Sequence, residues 1–123
     1  MTTAVEGHVF TAIKRDQRLV WSVPRLWEQA KNLPVREISL QEFAAYLDND
    51  FWFNSGTPST TRNVAVHCRK IIDAKLSLPI ILDQDGRLMD GMHRLAKAWL
   101  MGRPAIRAVQ FAKTPPPDRI EDL

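Results

Sequence analysis

Apolar residues along this chain recur at two alternating spacings, and the points where the spacing changes divide it into elements. Residues 1–19 show no clear period and are expected to form an extension. In WSVPRLWEQAKNLP, Leu26, Trp27, Ala30 and Leu33 fall on one helical face. Ser22 stands where a cap is wanted, and Pro24 sits in the first turn, where its missing N–H costs nothing. Pro34 ends that helix, and VREI reads as a short strand carrying Val35 and Ile38. SLQEFAAYL opens with a capping box, Ser39 followed three residues later by Glu42, and puts Leu40, Phe43, Ala44 and Leu47 on one face.

After a stop at residues 48–50, FWFNSGTPST runs three aromatics into a polar loop. A longer helix is expected from Thr60 or Thr61 to about Leu76, with Val64, Cys68, Ile71 and Ile72 facing inward. LPIIL is a compact strand, and DQDG a turn in which Gly86 supplies a positive φ. RLMD pairs back as the second strand of a hairpin. A helix over residues 91–101 follows, stopped by Gly102 and Pro104, with Met92, Leu95, Trp99 and Leu100 as core. AIRAVQF reads as a last strand, and the proline-rich, charged residues 113–123 as an exposed tail. The pattern predicts an α+β domain over residues 20–112, a small mixed sheet with a hairpin and about four packed helices.

Composition bounds the function. With 123 residues the chain has room for one core, and its net charge of +3 is short of the basic stripe of a dedicated nucleic-acid binder. One cysteine, Cys68, excludes an internal disulfide and a multi-cysteine zinc site. Nothing reads as a signal peptide or a membrane-spanning run, so a cytoplasmic setting with no membrane partner is expected.

Candidate chemistry gathers where the last helix begins. Asp90 is expected at the N-cap, accepting from an N–H of the first turn, with Gly91 allowing close backbone approach. His93 and Arg94 project from that turn, and Lys97 lies one turn further on. Helix N–H groups, an imidazole, a guanidinium and an ammonium within a turn make an arrangement suited to phosphate. The plainer alternative leaves Asp90 as a cap, Lys97 in solvent, and His93 and Arg94 paired with acids.

The stretch PIILDQDGRLMDGMHRLAKAWLMGRPAIRAVQF resembles the core of the ParB/sulfiredoxin-like superfamily. In that family a hairpin leads to a glycine and a short arginine-containing motif that opens a helix, followed by a closing strand. The motif reads Gly-Cys-His-Arg in sulfiredoxins; here it is Gly91-Met92-His93-Arg94. The likeness spans roughly residues 33–111, strongest over 79–111, and extends to small stand-alone bacterial ParB-like proteins. It implies that Gly91, His93 and Arg94 bind the phosphates of a nucleotide such as ATP or CTP. Met92 and Lys97 join that site by their place on the same helix, and Asp90 could hold Mg²⁺ there, since an acid beside phosphate needs a bridging cation. Met92 stands where sulfiredoxins carry a thiolate, and a thioether cannot replace it, so sulfinic-acid reduction is not expected. The helix-turn-helix that follows the nucleotide domain in partitioning ParB proteins is not found here, and sequence-specific DNA binding is not expected either.

Other residues extend this picture. His67 is either a packing residue or a second site histidine beside His93, a placement the family topology implies. Glu37 is a base candidate through its family position alone, with His67 and Asp90 as the other catalytic candidates. As a lid, Trp52 and Phe53 could stack on a base while Ser59, Thr60, Thr61 and Arg62 reach phosphates or a second substrate; their plainer roles are a core anchor and a helix cap. Trp21 and Trp27 could serve a homodimer or the core. Three functions follow: a phosphotransferase acting on a small-molecule hydroxyl, or a nucleotide hydrolase; a non-catalytic nucleotide-binding switch; and a nucleic-acid-binding or nuclease domain.

Overall fold

The computed structural model describes residues 8–54 and 56–123. The protein is an α+β fold whose described residues form two sheets and four helices. In chain order these are β1 (Val9–Lys14), β2 (Gln17–Ser22), α1 (Val23–Ala30), β3 (Arg36–Ser39), a 3-10 turn (Leu40–Phe43), α2 (Ala44–Leu47), α3 (Thr61–Asp73), β4 (Ile80–Leu82), β5 (Leu88–Asp90), α4 (Met92–Leu100), β6 (Ala105–Gln110) and β7 (Arg119–Asp122). Strand order is β1-β2-β7 in one sheet and β3-β6-β4-β5 in the other. Among the described residues no helix is long and apolar enough to cross a membrane. The chain divides into two compact units.

The first unit holds the chain up to Pro34, Ile81–Asp90 and Val109–Leu123. β1 and β2 form an antiparallel hairpin with Lys14 opposite Gln17, turning through Arg15, whose φ is 56°. The expected extension of residues 1–19 therefore contains a full strand; residues 1–7 lie outside the described residues. The charged tail is also structured. β7 pairs antiparallel with β2, Val20 opposite Arg119, where an exposed arm over 113–123 was expected. Trp21 Nε1 donates to the Pro115 carbonyl at 2.8 Å, and Ser22 N to Asp118 Oδ2 at 2.7 Å. Arg25 adds an ion pair to Asp118 at 2.7 Å.

The core of this unit gathers Trp21, Val23, Leu26, Ala30, Ile81, Met89, Val109 and Phe111, flanked by Phe10, Leu19, Trp27 and Leu33. Trp21 and Trp27 are thus part of the packing, as the core alternative had it. α1 starts with Pro24 in its first turn, although Ser22 makes no side-chain cap. β4 and β5 form the expected antiparallel hairpin, Leu82 opposite Leu88. The buried Asp83 carboxylate holds its turn, accepting from Asp85 N at 2.9 Å and Arg87 N at 2.8 Å, while Gly86 has φ 83°. Phe111 N donates to Leu82 O at 3.0 Å, which lays the chain after β6 beside β4.

The second unit holds Val35–Ile80 and Gly91–Ala108. β3 pairs antiparallel with β6, Arg36 opposite Ala108 and Ser39 opposite Ala105. The single helix expected from Ser39 is instead a 3-10 turn leading into the short α2, and Ser39 makes no side-chain cap. Three residues per turn bring Leu40 and Phe43 onto one side, and both are buried. α3 is capped by Thr60 Oγ1, which accepts from Asn63 N at 3.1 Å.

Its orientation differs from expectation. The half-buried positions of α3 are Asn63, His67 and Ile71, four residues apart, while Val64, Cys68 and Ile72 are exposed. α4, packed against α3 and the 3-10 turn, buries Met92, Leu95 and Ala98 at three-residue spacing. That stripe turns Trp99 and Leu100, expected in the core, to solvent at 63% and 65% exposure. The helix stops at Gly102, φ 69°.

Candidate functional site: a histidine pair at a helix start

α3 and α4 pack side by side, and this brings two histidines that are 26 residues apart in sequence into contact. His67 Nδ1 and His93 Nε2 lie 2.8 Å apart, so one ring nitrogen donates and the other accepts. The imidazoles are inclined by only 12°, and the Trp52 indole lies parallel over both, at centroid distances of 4.4 Å to His67 and 4.5 Å to His93. Phe53 meets His67 edge-on at 5.5 Å. The aromatic run after α2 thus covers the pair and shields that face of its hydrogen bond from water.

Electrostatics biases the pair. Partial burial pushes the His67 pKa below the ordinary imidazole value, and the Lys70 ammonium adds to the shift. Lys70 stands three residues after His67 on α3, a helical spacing that could have flagged it from the sequence. His67 is therefore neutral at pH 7, with a nitrogen able to accept a proton from or through His93. His93 stands in the first turn of α4, where the helix dipole disfavours an added cation and favours an anion.

Gly91 occupies the N-cap position of α4 with φ 123°, a conformation that side-chain-bearing residues rarely adopt. A Cβ there would stand 2.5 Å from Ile80 Cγ2 and 2.9 Å from Arg94 Nη2. The guanidinium of Arg94 is thus folded back against the start of its own helix. In any α-helix the first N–H groups have no carbonyl four residues back to receive them. The turn therefore unites an imidazole, a guanidinium and a helix N-terminus.

Several expected site residues are placed elsewhere. Asp90 is not the cap: it ends β5, and within the first unit its Oδ2 accepts from Trp27 Nε1 at 2.9 Å while Oδ1 lies 3.7 Å from His8 Nε2. Its carboxylate thus engages the part-buried Trp27 and the exposed His8, and among the described residues no three His, Cys, Asp or Glu gather as a metal site. The hydrogen bond from Trp27 occupies one oxygen of the carboxylate given the Mg²⁺ role. Met92 is buried, so only its backbone could meet a ligand.

Lys97 is also withdrawn from the phosphate set. Its Nζ donates to the carbonyls of Ile72 at 2.8 Å and Ala74 at 2.7 Å, closing the C-terminal end of α3. Glu37 is exposed on β3, opposite Arg107, and no described hydrogen bond or ion pair joins it to the histidines. Thr60 serves as the α3 cap, and Thr61 and Arg62 are exposed in its first turn. Of the lid candidates, Trp52 and Phe53 reach the histidine pair. Comparison with family models, curated proteins and solved structures finds no match to this chain.

Proposed function

We propose that this chain is a nucleotide-phosphate-binding domain of the ParB/sulfiredoxin-like kind, in which the first turn of α4 receives phosphate and the His67–His93 pair moves a proton. The observation that carries the reading is the 2.8 Å contact between the two imidazoles beneath Trp52, at the helix start where Arg94 folds back on Gly91. Arg94 and the helix N-terminus supply charge and directed N–H donors for phosphate oxygens. Neutral His67 acts as the base, directly or through His93, toward the hydroxyl of a small molecule or toward water. The reaction class is phosphoryl transfer or nucleotide hydrolysis, in which positioning and charge stabilisation provide most of the rate.

Thermal unfolding with ATP, CTP and GTP, each with and without Mg²⁺, tests the binding step. A ligand held by the folded state alone stabilises it by about 2.7 kcal/mol at a hundredfold excess over Kd. At least one nucleotide should raise Tm, and Arg94→Ala should remove the rise. His67→Gln should keep the rise while slowing phosphate release or transfer by about a hundredfold. No rise with any nucleotide, or an equal rise in Arg94→Ala, overturns the reading; binding without turnover reduces it to the switch module.

A further inference from the structure

α3 carries an apolar stripe that its own unit leaves uncovered. None of its 13 residues is buried. Val64 is 40% exposed and Ile72 63%, and Ala65 and Cys68 between them are exposed as well. Ala65, Cys68 and Ile72 follow alternating three- and four-residue steps, with Val64 alongside, so they form a line along the helix rather than scattered positions. They line one shallow groove together with Arg62 and Arg69.

The charges at the ends of the helix are reversed with respect to its dipole. Arg62 sits in the first turn, where an acid is favoured, and Asp73 is the last residue, where a base is favoured. Among the described residues neither makes an ion pair. Eleven residues is close to three helical turns, so both lie on the same flank of the apolar line. A helix of this kind is complementary to itself when turned end to end.

We propose that α3 is a homodimer interface, on which a second copy of this chain lays its own α3 antiparallel. With the two-fold axis near Cys68, Val64 faces Ile72 of the second copy and the two Cys68 side chains meet. Arg62 comes opposite Asp73 at both ends, and each charge then stands beside the helix terminus that favours it. Small residues at the centre, Ala65 and Cys68, let the axes approach toward the lower end of the usual 8–10 Å. The Arg69 side chains lie on the charged flank and extend to water along their stems. A helix of about 20 Å makes a small interface, so the dimer dissociates in the micromolar range rather than below it.

Sedimentation equilibrium of the full chain from about 1 to several hundred micromolar, bracketing that range, should show a monomer–dimer equilibrium. Ile72→Glu should leave only monomer with unchanged circular dichroism. Arg62→Glu or Asp73→Arg alone should raise the dissociation constant about tenfold, as two attractions become repulsions. The two together should bring it back toward the wild-type value, since the ion pairs re-form while each charge now stands beside the partner terminus that disfavours it. A short bis-maleimide should link two chains through Cys68 in the wild type and not in Ile72→Glu. A monomer at every concentration overturns the proposal. So does a dimer that survives Ile72→Glu, one abolished instead by Trp99→Ser, or a double reversal that fails to recover.

Discussion

Replacing Gly91 with alanine should be among the most damaging single-methyl changes in the chain. The backbone at this position has φ 123°, outside even the left-handed region that asparagine tolerates, and forcing an alanine into it costs about 1–3 kcal/mol. The added methyl would stand 2.5 Å from Cγ2 and 2.9 Å from Cβ of Ile80, a residue with 0% exposure and no room to retreat. Overpacking of that kind adds about 1–3 kcal/mol. The sum, about 2–6 kcal/mol, is a large part of the 5–15 kcal/mol that holds a domain together. Gly102→Ala is the control: its φ of 69° is also positive, but a Cβ there meets nothing within 4 Å, so its cost stays near 1 kcal/mol. Urea unfolding followed by tryptophan fluorescence measures both. If Gly91→Ala lost no more than Gly102→Ala, the close approach of Ile80 and Arg94 to this turn would not be a constraint on folding, and the reasoning would fail.

Because burial and Lys70 depress the His67 pKa, the folded state binds its proton more weakly than the unfolded state does. The stability this contributes is complete above the ordinary value of 6.5 and is lost as pH falls through the lower folded value. Tm should therefore drop on acidification across that window, and His67→Gln should flatten the drop; an equal slope in the variant counts against the assignment. Lys97→Met should destabilise by about 1–2 kcal/mol through loss of two charge-assisted bonds to the α3 carbonyls, read by urea midpoint. The same variant should leave nucleotide affinity within about twofold, and a loss comparable to that of Arg94→Ala would return Lys97 to the phosphate set.

How much could be read in advance varied by region, for identifiable reasons. The β4–β5 hairpin and α4 were legible because their signals are local: Asp83 and Gly86 dictate the turn, and Gly102 the stop. β1 and β7 were not, because VFTAIK alternates poorly and RIED has a single apolar residue; their strands exist through pairing with β2. In α3 the apolar period pointed to Val64, Cys68, Ile71 and Ile72, yet of these only Ile71 lies on the inward face, which carries Asn63 and His67 instead. Hydrophobic periodicity finds the helix but not which face its own unit covers. At the site, His93 and Arg94 were legible from their place in the first turn. The nearness of His67 was suggested only through the family resemblance, and the cover by Trp52 over both rings had no sequence signal. Lys97 misled because spacing along a helix says where a side chain starts, and its long stem reaches instead to the end of α3.

The β1-β2-β7 sheet has a consequence for the order in which the polypeptide is made. β2 can find β1 at once through a two-residue turn, but its other edge waits for a partner far along the chain: Ser22 bonds to Asp118, 96 residues later. During synthesis the second unit, whose segments run from Val35 to Ala108, is therefore complete while the first still exposes the free edge of β2. Loop closure over such a separation is slow compared with hairpin formation. The nascent chain thus keeps an open strand edge from the synthesis of β2 until β7 has emerged to cover it.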